Sequence, residues 1–215
     1  MSTDPSSAEP APLRFDAAEE PVDRPGKKLG MWLFLFTELL FFGGVFLLYS
    51  VFRFRYPGDF HRSAQGENLL LGSVNTAVLL TSSLLMALAV AAVRGGRARR
   101  SLRLQAGTMA LGVVFLVIKG LEWGAKISEG ISPGGPAISR LNEGEVMFFG
   151  LYYTMTGIHA LHLAIGIAVE GFMFHGTRRG LITGENYARL ENTGLYWHFV
   201  DIVWIYLFPL FYLVT

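Results

Sequence analysis

The sequence predicts an all-α fold, a polytopic membrane bundle of five transmembrane helices with the N-terminus cytoplasmic and the C-terminus periplasmic. Three observations carry that expectation. Charged residues make up only 16% of the 215, against roughly 25% in a soluble domain. They fall in short clusters rather than along faces. Between the clusters lie apolar runs longer than the stretch of about 18 residues that a bilayer crossing needs.

Residues 1–28 are set apart by composition, with much Pro, Ala, Ser and acid and no apolar block. They read as a disordered, soluble tail. Lacking a basic start and an apolar core, they do not read as a signal peptide. A five-helix domain is expected over 29–215, with spans at 30–52, 68–93, 104–125, 146–172 and 193–213. At 1.5 Å per residue each is about 30–40 Å long, enough to cross with some tilt. Gly95-Gly96 breaks the chain after the second span, and Ser132-Pro133-Gly134-Gly135-Pro136 separates the third from the fourth.

Orientation follows from the basic residues. Arg24, Lys27, Lys28, Arg94, Arg97, Arg99, Arg100, Arg103, Arg178, Arg179 and Arg189 lie on the side of the N-terminus. Arg53, Arg55, Arg62, Lys126 and Arg140 lie opposite. Eleven against five places the first group in the cytoplasm. The absence of cysteine excludes disulfides, thiolate metal sites and cysteine nucleophiles. With a net charge of +1 and no basic, aromatic-interleaved patch, nothing points to a nucleic-acid partner.

A charge in mid-bilayer costs roughly 2.5–3.5 kcal/mol on insertion scales, so each one needs a reason. Seven residues draw attention: Glu38, Lys119, Glu122, His159, His162, His198 and Asp201. By helix rise, Glu38 lies about 12 Å up the first span, and His198 and Asp201 about 8 and 12 Å up the fifth. His159 and His162 fall in the inner half of the fourth. With suitable rotation these five meet in one inner layer, while Lys119 and Glu122 form an outer pair. His159 with His162, His198 with Asp201, and Lys119 with Glu122 each stand three apart and share a helix face.

Three chemistries fit the inner layer: a hydrogen-bonded clamp between helices, a proton relay or buffer, and a haem with axial imidazoles drawn from His159 or His162 and His198. A di-metal carboxylate site wants repeated Glu-x-x-His pairs, and none occurs. Small residues at Gly43-Gly44, Ser82-Ser83, Gly157 and Gly166 suggest close helix approach. Tyr196-Trp197 and Trp204 suggest interfacial belts.

The last span reads YWHFVDIVW over 196–204. It resembles the final-helix signature of cytochrome c oxidase subunit III. The rest follows in order: TELLFF around Glu38 resembles that family's S-E-x-x-F-F, with Thr37 for serine, and VNTAVLLTSS resembles its N-T-x-x-L-L-x-S helix. GLEW around Glu122 and TGIHALHLAIG around His159 and His162 are similar to two further family helices. The chain looks like the short, five-helix form, lacking two helices that hold phospholipid in longer members. It departs from the family at Lys119, more often glutamine, and at Ala87-Leu88-Ala89, where longer members carry tryptophan and histidines.

The resemblance implies a non-catalytic subunit of a haem-copper terminal oxidase, multi-pass in a bacterial inner membrane, serving aerobic respiration and proton translocation. Haem and copper would reside in partner subunits, with no cofactor or metal in this chain beyond possible bound phospholipid. Subunit I would be the main contact, with subunit II and other subunits nearby. Glu38 matches the family's carbodiimide-reactive carboxylate near the proton-uptake side; a carboxyl taken out of water favours its protonated form. Helix number does not separate a cytochrome c oxidase from a quinol oxidase, and a companion subunit of nitric oxide reductase shares the pattern. From other classes, a stand-alone haem or quinone redox protein and a proton-coupled transporter remain as alternatives, although no internal repeat favours the latter.

Overall fold

The computed structural model describes residues 24–213. Six α-helices follow one another: α1 (Arg24–Arg55), α2 (Pro57–Gln65), α3 (Leu69–Arg94), α4 (Ala98–Ser128), α5 (Glu143–Arg178) and α6 (Ala188–Phe208). A 3₁₀ turn at Ile138–Arg140 precedes α5, and a π-helical turn at Pro209–Leu213 continues α6. Among the described residues there is no strand. All helices but α2 are long and apolar enough to cross a membrane, giving the five expected spans. The tail expected over 1–28 falls mostly outside the described residues, and α1 is already formed at Arg24.

Helices α1, α4 and α5 overrun the spans read from hydropathy at both ends, α5 by three residues at one end and six at the other. Hydropathy ends where lipid ends, whereas the backbone ladder continues into water until a cap stops it. Asn68 caps α3 by accepting from the Leu71 amide at 3.1 Å. At the start of α5 the Glu145 carboxylate accepts from the Asn142 amide at 3.0 Å, half of a capping box. At the other ends of α3 and α5 the chain turns through Gly96 and Gly180, with φ of 71° and 73°. Those left-handed glycines let Arg97 N–H reach Ala92 O at 2.9 Å and Leu181 N–H reach Gly176 O at 3.0 Å, closing the last turn.

Helices α3, α4, α5 and α6 close into a ring, each packed on its neighbours, with α3 against α4 the most extensive face. Helix α1 lies outside that ring, against α5 and α6. The short α2, not expected from the sequence, packs on α5 and on the π turn through buried Phe60, Ser63 and Ala64. One end of the core is an edge-to-face aromatic stack: Tyr49 on Phe60 at 5.4 Å, Phe60 on Phe148 at 5.5 Å and Tyr152 on Phe211 at 5.4 Å.

Two sequence readings are corrected here. Trp197 and Trp204 are not interfacial: each is 1% exposed. Their indole N–H groups cross to α3, donating to Ser82 Oγ at 3.1 Å and Thr76 Oγ1 at 3.0 Å. A tryptophan whose donor finds a partner can be buried whole. Nor do Gly43 and Gly44 mark a close approach, since a Cβ at either would meet nothing within 4 Å.

The tightest approaches in the ring are Gly72, whose added Cβ would stand 2.8 Å from the Tyr212 ring, and Gly107, 2.9 Å from the Leu85 side chain. The Tyr212 ring is held through its hydroxyl by Lys119 and Glu122 and has little room to yield. Gly72→Ala should therefore cost about 1–3 kcal/mol in thermal unfolding of the purified chain. A change below about 0.5 kcal/mol would mean that the ring swings aside freely.

Candidate functional site

The expected inner layer separates into three places. Glu38 on α1 meets His162 on α5, Oε2 to Nε2 at 3.1 Å. The pair is partly exposed, at 19% and 15% of side-chain area. It opens into a cavity of about 410 Å³ whose walls include Met31, Phe34 and Tyr196. The other ring nitrogen of His162, Nδ1, lies 2.8 Å from Ile158 O. A carbonyl only accepts, so Nδ1 carries hydrogen. The contact with Glu38 then needs one further proton, on Nε2 facing a carboxylate or on the Glu38 carboxyl facing a neutral imidazole. Either way a single proton is shared between two atoms at the edge of the bundle.

His159 does not join that pair. It is fully buried and packs on Phe115 and Trp204, with ring centroids at 5.4 and 5.1 Å. His198 is held elsewhere, by Ser83 of α3 at 2.6 Å. Asp201, one turn along and 2% exposed, also has Ser83 as a polar neighbour, but neither carboxylate oxygen completes a hydrogen bond. The expected His198–Asp201 partnership does not form: His198 is tied to Ser83 of α3, and the Asp201 carboxylate stays without a completed bond.

Lys119 and Glu122 pair with each other. Lys119 Nζ stands 3.2 Å from Glu122 Oε1, and both are buried. Two tyrosines complete it. The hydroxyl of Tyr152 accepts from Lys119 at 3.0 Å and donates to Glu122, and that of Tyr212 does the same. A second buried pair adjoins it: Lys126 Nζ to Glu67 Oε1 at 2.9 Å. Lys126 follows Glu122 by four residues, so α4 presents both cations and Glu122 on one face.

These added groups were missed for different reasons. Tyr152, Tyr212 and Glu67 arrive from distant parts of the chain, whereas Lys126 was legible from its spacing. Glu170 is another matter: it lies inside the fourth expected span, is fully buried, and neither oxygen has a partner. The rule applied to the other seven residues applies to it equally.

Burial pushes the Glu67 carboxyl from its ordinary 4.5 up to about 7, with Lys126 only partly pulling it back. The fold therefore prefers Glu67 protonated, a preference fully present below 4.5 and lost as pH rises through about 7. Thermal stability should fall across that window, and Glu67→Gln should flatten the fall. An unchanged slope in the variant would assign the pH dependence to another group.

The sequence model of a family described as cytochrome c oxidase subunit III matches residues 14–215. The chain belongs to the cytochrome c oxidase subunit III family. A relative from Thermostichus vulcanus, named cytochrome c oxidase subunit 3, is 31% identical over 188 residues, covering 87% of each chain. One from Pseudomonas aeruginosa, named cytochrome bo(3) ubiquinol oxidase subunit 3, is 31% identical and covers 86% of this chain and 83% of its own. A third, from Aeropyrum pernix, is named heme-copper oxidase subunit I+III; it is 32% identical over 86% of this chain, which spans only 22% of that longer protein. The TELLFF, TGIHALH and YWHFVD segments lie on α1, α5 and α6. In the fold they supply Glu38, His162 and His198 to the seams around α1, α5 and α6. Among the described residues no three His, Asp or Glu side chains converge as metal ligands would.

Proposed function

We propose that this chain is the non-catalytic subunit III of a haem-copper terminal oxidase, packed on the catalytic subunit and supporting proton uptake and turnover stability. The observation that carries the reading is the family match over 14–215. Haem and copper belong, on this reading, to adjoining subunits. The main partner is subunit I, a choice supported by a relative whose name joins I and III on one chain. Subunit II and lipid complete the surroundings, in a bacterial inner membrane with the N-terminus cytoplasmic. Relatives named for cytochrome c and for ubiquinol leave both donors to be assayed.

Within that assembly Glu38 and His162 are the proton-side groups. They share one proton, border a cavity and keep some exposure, as an exchanging site must. His198 serves α6–α3 attachment, and Lys119 with Glu122 holds the opposite end of the ring together.

The test is gentle purification from native membranes with identification of the accompanying chains. Oxidase subunits I and II are the expected companions, and the complex should consume dioxygen with reduced cytochrome c or a quinol. A stoichiometric haem spectrum from this chain purified alone would reject the reading in favour of a redox protein.

A further inference from the structure

We propose that Glu170 is a proton-binding site inside the closed bundle, a carboxyl that holds one proton within the α4–α5–α6 interior. Its level is fixed by two contacts between α4 and α5. Below it, Gln105 Nε2 donates to Thr177 Oγ1 at 3.2 Å. Above it, Gly112 faces the Ile167 side chain, 3.2 Å from where a Cβ would stand. Glu170 lies between, on the α5 face that carries Gly166 and Thr177, with none of its surface exposed.

A carboxylate can only accept hydrogen bonds, and the donors around this level are already committed. Gln105 serves Ser101 and Thr177, and Thr177 serves Met173 O. Thr108 donates to backbone carbonyls, Trp197 to Ser82 and Thr193 to Arg189 O. Both Glu170 oxygens remain without a partner.

No counter-charge replaces the missing donors. On α1, Glu38 is joined to His162, two turns from Glu170. On α4, Lys119 is held by Glu122 toward the far end. On α6, His198 is bound to Ser83, Asp201 lies beyond it, and Glu191 pairs with Lys28. On α2, Asp59 and Arg62 pair with each other at the opposite end of α5. A metal cation would want several oxygen ligands, and no such group converges among the described residues.

An ionised carboxylate left alone in such an interior is opposed by several kcal/mol, and the group neutralises instead. The ligand that fits is therefore a proton. It is released only when α4 or α6 separates from α5 and water enters. The site stands apart from the Glu38–His162 seam and does not rest on the oxidase reading.

The experiment uses the full chain in lipid nanodiscs, wild type against Glu170→Gln. At neutral pH the infrared difference spectrum should show one protonated carboxylic-acid carbonyl band, present in wild type and absent from the variant. Gln is a neutral isostere, so thermal stability at neutral pH should be unchanged and stability in alkali should rise. A wild-type band in the carboxylate region instead, or a variant destabilised at neutral pH and rescued by Glu170→Asp, would overturn the proposal. Should the Gln variant fail to fold, Glu170→Asp decides: a protonated carboxylic-acid carbonyl band displaced in frequency supports the proposal, and a band left unmoved refutes it.

Discussion

Lys119→Met is expected to lower the stability of the bundle by about 3–5 kcal/mol, the usual cost of stranding one partner of a buried ion pair. Lys119 and Glu122 are 2% and 5% exposed, and Glu122 would be left facing only the Tyr152 and Tyr212 hydroxyls. The informative control is the double variant Lys119→Met, Glu122→Gln. An amide carbonyl still accepts from the tyrosines and carries no charge, so most of the loss should return. Chemical unfolding of the purified chains measures both. If single and double variants are equally unstable, the damage comes from lost packing rather than from the stranded charge.

Glu38→Gln should leave the assembled enzyme intact but lower its turnover severalfold and hasten inactivation at alkaline pH. The Gln amide can donate to Nε2 of a neutral His162, so the α1–α5 contact survives while the shared proton is gone. That separates proton handling from attachment, which His162→Phe would abolish together. Steady-state oxygen consumption across pH, with subunit stoichiometry recorded for each variant, reads the difference. Wild-type turnover in a fully assembled Glu38→Gln enzyme would make the pair a clamp and nothing more.

The spans were legible because lipid imposes a length on apolar runs, and the Lys119–Glu122 pair because three residues bring two side chains to one face. Meeting in one inner layer was not legible, for a geometric reason. His159 and His162 differ by about 60° around the helix. That is small enough to look like one face and large enough to serve two interfaces: His162 turns to α1, and His159 to Phe115 and Trp204 in the ring. Depth follows from counting residues, but rotation is set by what each helix packs against. The tryptophans failed similarly, since an indole suits a wet interface or a core with an acceptor, and Ser82 and Thr76 lie more than a hundred residues away. Glu170 needed no structure, only the same scrutiny given to the other ionisable residues.

Helix α1 sits against its neighbours through an apolar surface, and acyl chains wet that surface about as well as another helix does. Its adhesion to the ring therefore depends heavily on polar ties spaced along it. Lys28 meets Glu191 at 3.1 Å near one end, Tyr49 donates to Leu210 O near the other, and Glu38 meets His162 between them. The middle tie is made of a proton. Without that shared hydrogen two lone pairs stand opposed, and lipid gains ground along the seam. In this chain proton occupancy and the grip of α1 are one equilibrium, and a measurement of either reports the other.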